Sequence, residues 1–360
     1  MRRLLPIAAA LVLTSLASLS MPASAQDYYR GKRITVLINF APGGPTDIEG
    51  RMVARYLGKH LQGNTGVIVQ NMDGAGGVIG INYIGEIAPK DGTLIGFVTG
   101  AAFQNAIEPL SRRVDLKSYE FVAHQAGTNV YYARSDVKPG LKQASDVLKA
   151  EDLIAGGLGA DSTKDLLMRL SLDLLGVKYK WVTGYKSNNA VRLALQKNEV
   201  SMFSESPPGY RAMVIPAIID KGEAIPLYFD PFHDGKGFYK SRQMEGLDIL
   251  PFNEFYEKVM GKPPSGPLWE AYMAGVLLSN SMLRQVIMPP GTPPAAVAAV
   301  REAMGKLASD KAFTEETMKT FSFVPDWIAT ENVAEVTRAN MNLDPKTRAF
   351  LIEYMRGGKK

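Results

Sequence analysis

The 360-residue sequence contains no cysteine, and its three histidines, His60, His124 and His233, lie far apart along the chain. The missing thiol excludes disulfides, a thiol nucleophile, thiolate metal sites and a lipid-modified cysteine, so hydrophobic burial alone must hold the fold. There is no H-E-x-x-H, no G-x-S-x-G elbow and no Walker A lysine motif, and nothing local points to a metal cage or a catalytic triad. His60, near a helix end, reads as a surface or capping residue. Excess charge is also scarce: the formal net charge is +5, falling to +3 without Arg2 and Arg3, which argues against a nucleic-acid or anionic-membrane partner.

What is present begins with an address. Arg2 and Arg3, the apolar run Leu4 to Leu19 and the A-x-A site Ala23-Ser24-Ala25 read as a secretory leader over 1–25, cleaved near Ala25, so a periplasmic location is expected. The chain then becomes regular. Ile34 to Phe40, ITVLINF, is a nearly continuous apolar run, as a parallel strand covered on both faces should be. APGGPTDIEG opens a helix, with Thr46 and Glu49 spaced as a capping box and Ile48, Met52, Val53, Tyr56, Leu57 and Leu61 on one face. A second strand, Val67 to Gln70, ends in DGAGG, a short helix follows over 78–88, and Thr93 to Val98 is the next strand. Strands alternating with helices predict an α/β fold with right-handed crossovers.

Both glycine turns sit where an apolar strand enters a helix, and the first N–H groups of a helix lack intrahelical partners and carry the positive end of its dipole. Two such turns on one sheet edge make a backbone anion site. GAGGVIG misses the dinucleotide fingerprint by its spacing, which removes the nucleotide reading.

After the basic loop Ser111 to Lys117, Phe121 to Ala133 is strand-like, and βα units follow with strands at 153–155, 179–182 and 200–204, closed by a strand at 225–229. Each strand ends in small or polar residues before a helix, so a second crevice edge is expected there. From Asp230 to Pro267 the periodicity is lost in glycine, proline and aromatics, and a satellite aromatic cluster is favoured over a ligand wall. A helix at 268–278, a strand at 283–288 and helices at 295–308, 311–319 and 331–356 complete the chain.

The segments Phe40 to Asp47, Asn71 to Gly77 (N-x-x-GAGG) and Ala88 to Leu94 (AP-x-DG-x-L) resemble the opening of the substrate-binding receptors of tripartite tricarboxylate transporters, the Bug-type periplasmic proteins. TGAAFQNAIEPL, GGLGADST, WVTGYKS, MFSESPP and MPPGTPPAAV continue the resemblance more loosely. It implies a two-domain periplasmic binding protein of the Venus-flytrap, type II-like kind, with a mainly parallel sheet in each domain. The expected domains are 26–122 with 283–360, and 123–282 carrying an irregular insertion at about 230–267. The implied protein is not an enzyme and uses no cofactor or metal. It is a monomer that closes on a small organic anion, commonly a carboxylate, and passes it to integral membrane permease subunits.

Carried over by position, the resemblance implies one ligand wall at Gly43, Gly44, Thr46, Asp47, Gly76, Gly77, Thr99 and Gly100. The other would be Ser162, Thr163, Tyr185, Lys186, Ser204 and Glu205. A carboxylate receiving several charge-assisted N–H bonds of roughly 1.5–3 kcal/mol each can reach the roughly 8 kcal/mol of micromolar binding without a catalytic group. Thr46 and Lys186 have bland alternatives, a helix cap and a solvated lysine. The carboxylate of Asp47 is expected to face its own loop, since it would repel an anion. Glu205, where the family tends toward a neutral amide, and Asp161 add acid to the second wall. Glu205 would oppose a second carboxylate unless paired with Lys186 or with a cation on the ligand, so a guest other than a simple dicarboxylate is expected. Two further functions stay open: a receptor that signals to a sensor partner, and a secreted enzyme acting on an acidic substrate.

Overall fold

A computed structural model describes residues 28–107, 112–160 and 162–357. The leader expected at 1–25, Ser111 of the basic loop and Asp161 lie outside the described residues. The strands are β1 (Arg33–Ile38), β2 (Gly66–Asn71), β3 (Leu94–Thr99), β4 (Glu120–Gln125), β5 (Val130–Arg134), β6 (Leu153–Gly156), β7 (Tyr179–Val182), β8 (Met202–Glu205), β9 (Ala224–Phe229), β10 (Phe232–His233), β11 (Phe238–Tyr239) and β12 (Arg284–Met288). They build two five-stranded sheets, β2-β1-β3-β12-β4 and β7-β6-β8-β5-β9, and a small β10-β11 hairpin.

Both sheets are mixed, which tightens the expectation of mainly parallel ones. β12 runs antiparallel to β3 and β4, and β5 runs antiparallel to β8 and β9, so each sheet carries one reversed strand in its fourth position. The two reversed strands flank the two crossings between lobes. The stretch expected as one strand over 121–133 is divided: β4 stays in the first sheet, residues 126–129 cross, and β5 enters the second. The return path runs through 276–283 into β12.

Helices cover both faces of each sheet because the strands are apolar on both. α1 (Pro45–His60) lays Met52, Val53, Tyr56 and Leu57 on one face of the first sheet, together with the helices Pro294–Leu307 and Lys311–Phe321. α2 (Val78–Glu86) and α3 (Ala101–Ile107) cover the other face through Ile81, Ile84, Ala101 and Ala102. α4 (Thr163–Leu174) and α5 (Asn188–Gln196) sandwich the second sheet. Each fully buried large apolar side chain contributes about 1.5–3 kcal/mol.

Two local expectations are corrected. Thr46 and Glu49 do not form a capping box: Pro45 occupies the first helical position, Gly44 is the N-cap without a side-chain bond, and Glu49 reaches instead to Arg284. The irregular stretch 230–267 holds a regular helix, Phe252–Met260, whose Phe252, Phe255 and Tyr256 are buried. Phe252 packs against Tyr228 and Tyr272 at ring separations of 4.9 Å, so these aromatics are core.

The two crossings are tied together. Gly127 N–H donates to the Asn280 carbonyl at 2.7 Å. The buried Asp230 carboxylate accepts from Asn129 Nδ2 (2.9 Å) and Asn280 Nδ2 (3.3 Å), one from each crossing, and from the Tyr131 and Tyr272 hydroxyls at 2.8 and 2.7 Å. Burial pushes this carboxyl up from the usual carboxylate range, and the four donors pull it back. The last helix, Pro345–Met355, docks on the second lobe, where the Tyr354 hydroxyl donates to Asp173 and its carbonyl accepts from Arg169.

His124 in β4 is buried, with Nδ1 3.3 Å from the Thr337 hydroxyl. Burial lowers its imidazole to about 4. The unfolded chain takes up a proton near pH 6.5 and the folded chain does not until about 4, so stability is unaffected above pH 6.5 and falls between those values. Denaturation of the parent and His124→Gln at pH 7.5 and 4.5 should show the parent losing on the order of 3 kcal/mol more than the variant on acidification.

Candidate functional site

The carboxyl ends of β1 and β3 face those of β6 and β8 across a small cavity of about 60 Å³. On the first wall, the β1 to α1 turn contributes Phe40, Ala41, Gly44 and Thr46, and the other two turns contribute Gly76, Thr99 and Gly100. Asn39 holds these turns in place. Its Oδ1 accepts from Thr99 N–H at 3.0 Å, and its Nδ2 donates to the Thr99 and Gly77 carbonyls at 3.0 and 3.3 Å. A Cβ on Gly77 would overlap that amide, so glycine is required there for the close approach.

Asp47 does not line the cavity. Its carboxylate accepts from Gly43 N–H (2.9 Å), Asn71 Nδ2 (2.7 Å) and Arg51 Nε (2.9 Å), with Arg51 heading the contacts that hold its ionised form below the usual range against burial. It therefore shapes the turn from behind, the orientation that repulsion by an anion favours.

Arg284, at the start of β12, is the first wall's cation and is buried. Nε donates to Glu49 Oε2 at 2.8 Å, Nη1 to the Thr99 hydroxyl at 3.0 Å, and Nη2 to the Ser206 hydroxyl at 3.0 Å. The last bond spans the cleft, because Ser206 follows β8 in the second sheet. Burial pushes Glu49 up while Arg284 opposes the shift.

The second wall is built from helix starts. Ser162 caps α4 through its hydroxyl to Asp165 N–H (3.4 Å), Ser187 caps α5 through Ala190 N–H (3.2 Å), and both residues line the cavity. Thr163, Lys164, Asn188 and Ser206 line it as well. Glu205 is fully buried and outside the lining. It is paired with the Arg192 guanidinium, accepts from Asn188 Nδ2 at 2.6 Å, and lies 4.0 Å from Lys164 Nζ. The expected partner Lys186 is exposed and takes no part, because α5 presents Arg192 one turn into the helix beside the end of β8.

Of the residues expected at the site, Gly44, Thr46, Thr99, Gly100 and Gly76 meet Ser162 and Thr163 across the cavity. Gly43, Asp47, Gly77, Ser204 and Glu205 stand behind the walls, and Tyr185 and Lys186 are not brought to the lining. Lys164 and Arg284 were missed. Lys164 had a local signal: a cation in the first turn of a helix, where the dipole disfavours it. Arg284 had a weaker one, a charge opening the buried strand RQVIM.

Among the described lining residues there are two cations and no carboxylate. No group of three or more His, Asp or Glu residues is arranged to hold a metal ion among the described residues. The lobes also touch beside the cavity, where Gly209 leaves no room for a Cβ against Pro45.

No family model matches the chain. It is 31% identical over 175 residues to a UPF0065 protein of Agrobacterium vitis from the TAR-I ttuE-ttuC' intergenic region, covering 46% of this chain and 49% of that protein. It is 39% identical over 95 residues to Protein BugT of Bordetella pertussis, covering 26% and 28%. The chain thus spans about half or less of the length of these two curated relatives. Its fold is similar to that of the periplasmic binding protein BugD (TM-score 0.66, 21% identity, 91% of this chain and 98% of that one). It is also similar to MatC of Rhodopseudomonas palustris with bound malate (TM-score 0.62, 21% identity, 90% and 97%) and to an R. palustris protein with adipate (TM-score 0.67, 17% identity, 91% and 97%).

The Glu49–Arg284 pair has side chains only 2% and 3% exposed, so removing one partner strands the other charge. Glu49→Gln or Arg284→Met should each cost about 3–5 kcal/mol in chemical denaturation. The double variant Glu49→Leu/Arg284→Met should cost clearly less than the sum of the single changes.

Proposed function

We propose, from this chain's kinship with the Bug-type substrate-binding proteins of tripartite tricarboxylate transporters, that it is a periplasmic solute receptor for a small organic anion. The guest is a carboxylate, captured by closure of the two lobes and delivered to the permease subunits of a transporter of that kind. The observation that carries this reading is the cavity lining, in which Arg284, Lys164 and the capped helix starts face inward and no described carboxylate does. Helix N-termini and buried cations favour an anion wherever water is excluded. The malate and adipate held by two structures of similar fold support a carboxylate guest.

In this mechanism the first wall receives an acid group at the turns of 40–46, 76 and 99–100, with Arg284 behind it as counter-charge. Asn39 and Asp47 keep those turns in place, so little ordering remains to be done on binding. Arg284 then reaches Ser206, and Pro45 meets Gly209, only when the lobes are together. The guest drives closure by contacting both walls, since a ligand shifts an equilibrium only through its differential contacts with the two states. Neither wall needs a nucleophile or a proton donor, so the output is capture and release.

A thermal-shift screen with mono-, di-, tri- and aromatic carboxylates tests this. One of them at about 100 times its Kd should add about 2.7 kcal/mol of stability, and a panel without any stabilising member would defeat the proposal. Closure has its own test in Gly209→Leu. The added side chain would wedge against Pro45, so affinity for the active carboxylate should fall at least about tenfold. Scattering should show that variant failing to compact with the carboxylate as the parent does.

A further inference from the structure

We propose that Lys164 is the specificity-determining residue of the second wall, the counter-charge for a second acid group on the guest. This inference rests on the carboxylate-receptor reading and deepens it, making the guest a dianion with an acid at each end.

Four charged groups lie close together behind and along the second wall, Arg192, Glu205, Lys164 and Asp165, and their pairing is unequal. Glu205 is satisfied by Arg192 and Asn188, is fully buried and is outside the cavity lining. That neutral pair removes the reason for expecting Glu205 to repel a carboxylate. Lys164 is the cation of this group with no carboxylate oxygen within hydrogen-bond distance among the described residues, since Asp165 is turned to the Gly159 N–H at 3.0 Å. Its ammonium has three donors, of which one makes a 3.3 Å bond to the Ser204 carbonyl, and Glu205 is no nearer than 4.0 Å. The side chain is 15% exposed and lines the cavity. The Phe203 ring lies 5.3 Å from Nζ, so the ammonium has an aromatic face at its back.

A second, independent feature stands beside it. The Thr163 hydroxyl is buried without a hydrogen-bond partner and belongs to a residue that lines the same end of the cavity. A buried hydroxyl left unpaired carries a desolvation cost that an incoming oxygen acceptor removes. One carboxylate can take a donor from Thr163 and another from Lys164, with the N-terminus of α4 adding its dipole. Neither an ammonium nor an alkyl end offers that acceptor pair.

The electrostatic setting gives a readout that a merely structural lysine would not. Burial lowers the Lys164 ammonium to about 8, Glu205 and Asp165 raise it, and Arg284 and Arg192 lower it further. A bound carboxylate beside it raises it again, so binding near pH 8 must draw a proton from the buffer. A guest carboxylate, long ionised at that pH, cannot supply the effect.

The experiment uses the full-length mature protein, titrated with succinate, malate and adipate and with butyrate and hexanoate. Calorimetry is run at pH 8 in two buffers of different ionisation enthalpy. The parent should bind at least one dicarboxylate more tightly than the monocarboxylate of the same length by about 10- to 100-fold, with uptake of about half a proton. Lys164→Met should lose that preference and the proton uptake, and Lys164→Arg should keep the preference. Equal affinity of the parent for both acid classes, or binding without proton uptake, overturns the role of Lys164 but leaves the receptor reading standing. If none of the five acids binds the parent, the role of Lys164 falls, and the receptor reading is decided by the wider carboxylate panel. Should Lys164→Met not fold, the proton count on the parent still decides.

Discussion

A buried guanidinium is costly unless its charge is compensated, and Arg284 has Glu49 in a pair almost wholly removed from water. Such a pair adds little stability over an apolar replacement, because desolvation consumes most of its Coulomb attraction. What it gives is placement. Arg284 sits on the first residue of the strand that returns from the second lobe, so the segment that joins the lobes also carries the first wall's charge. Its remaining edges fix Thr99 in one lobe and Ser206 in the other. The reversed position of β12 between β3 and β4 delivers the arginine to the sheet edge where the glycine turns end.

The walls divide the work by different means. On the first, the chain itself forms the surface, and side chains such as Asn39 and Asp47 are spent on holding backbone. A surface of turns and helix starts accepts an acid group whatever is attached to it. On the second, side chains at the starts of α4 and α5 face the cavity together with Ser206, and the cation among them is one lysine, while Glu205 is paired with Arg192 outside the lining. Substitution there can change the preferred guest without disturbing the turns opposite, which is how a common scaffold separates capture from discrimination.

How much of this was legible follows from which signals are local. The strand-then-helix rhythm of the first hundred residues is written in apolar runs and glycine turns, and the observed elements follow it closely. The likeness of fold to BugD extends over 91% of the chain, well beyond that stretch. The Thr46–Glu49 capping box failed because a tertiary partner 235 residues away took Glu49, and spacing carries no trace of that. The helix Phe252–Met260 went unread although Phe252, Phe255, Tyr256 and Val259 have helical spacing, since the neighbouring glycines and prolines masked the period. The site divided along the same line. Glycines that let backbone face a cavity could be found from sequence, whereas Arg284, Asn129 and Ser206 reach it through sheet register and crossings. Lys186 was expected from the resemblance of the segment WVTGYKS, while Lys164, a first-turn lysine that looks misplaced beside the helix dipole, drew no expectation. In the fold the misplaced one faces the cavity.

The bonds the protein makes across its own cleft set how strongly a guest must act. A hydrogen bond from a charged donor, such as Arg284 Nη2 to Ser206, contributes about 1.5–3 kcal/mol where water is excluded, and the Pro45–Gly209 contact adds dispersion. On the proposed closure, these terms belong to the arrangement described here whatever lies between the walls. Against them stands the separation of two polar surfaces that water would solvate well. The closer these contributions come to cancelling, the smaller the differential contact a carboxylate needs to supply, and the less of its intrinsic affinity is used in moving the lobes. Tighter self-contacts would hold the cleft shut and slow both entry and release. Weaker ones would make the guest carry the whole change. One hydroxyl accepting from one guanidinium edge is a coupling of intermediate size, which is what the proposed capture and release would require.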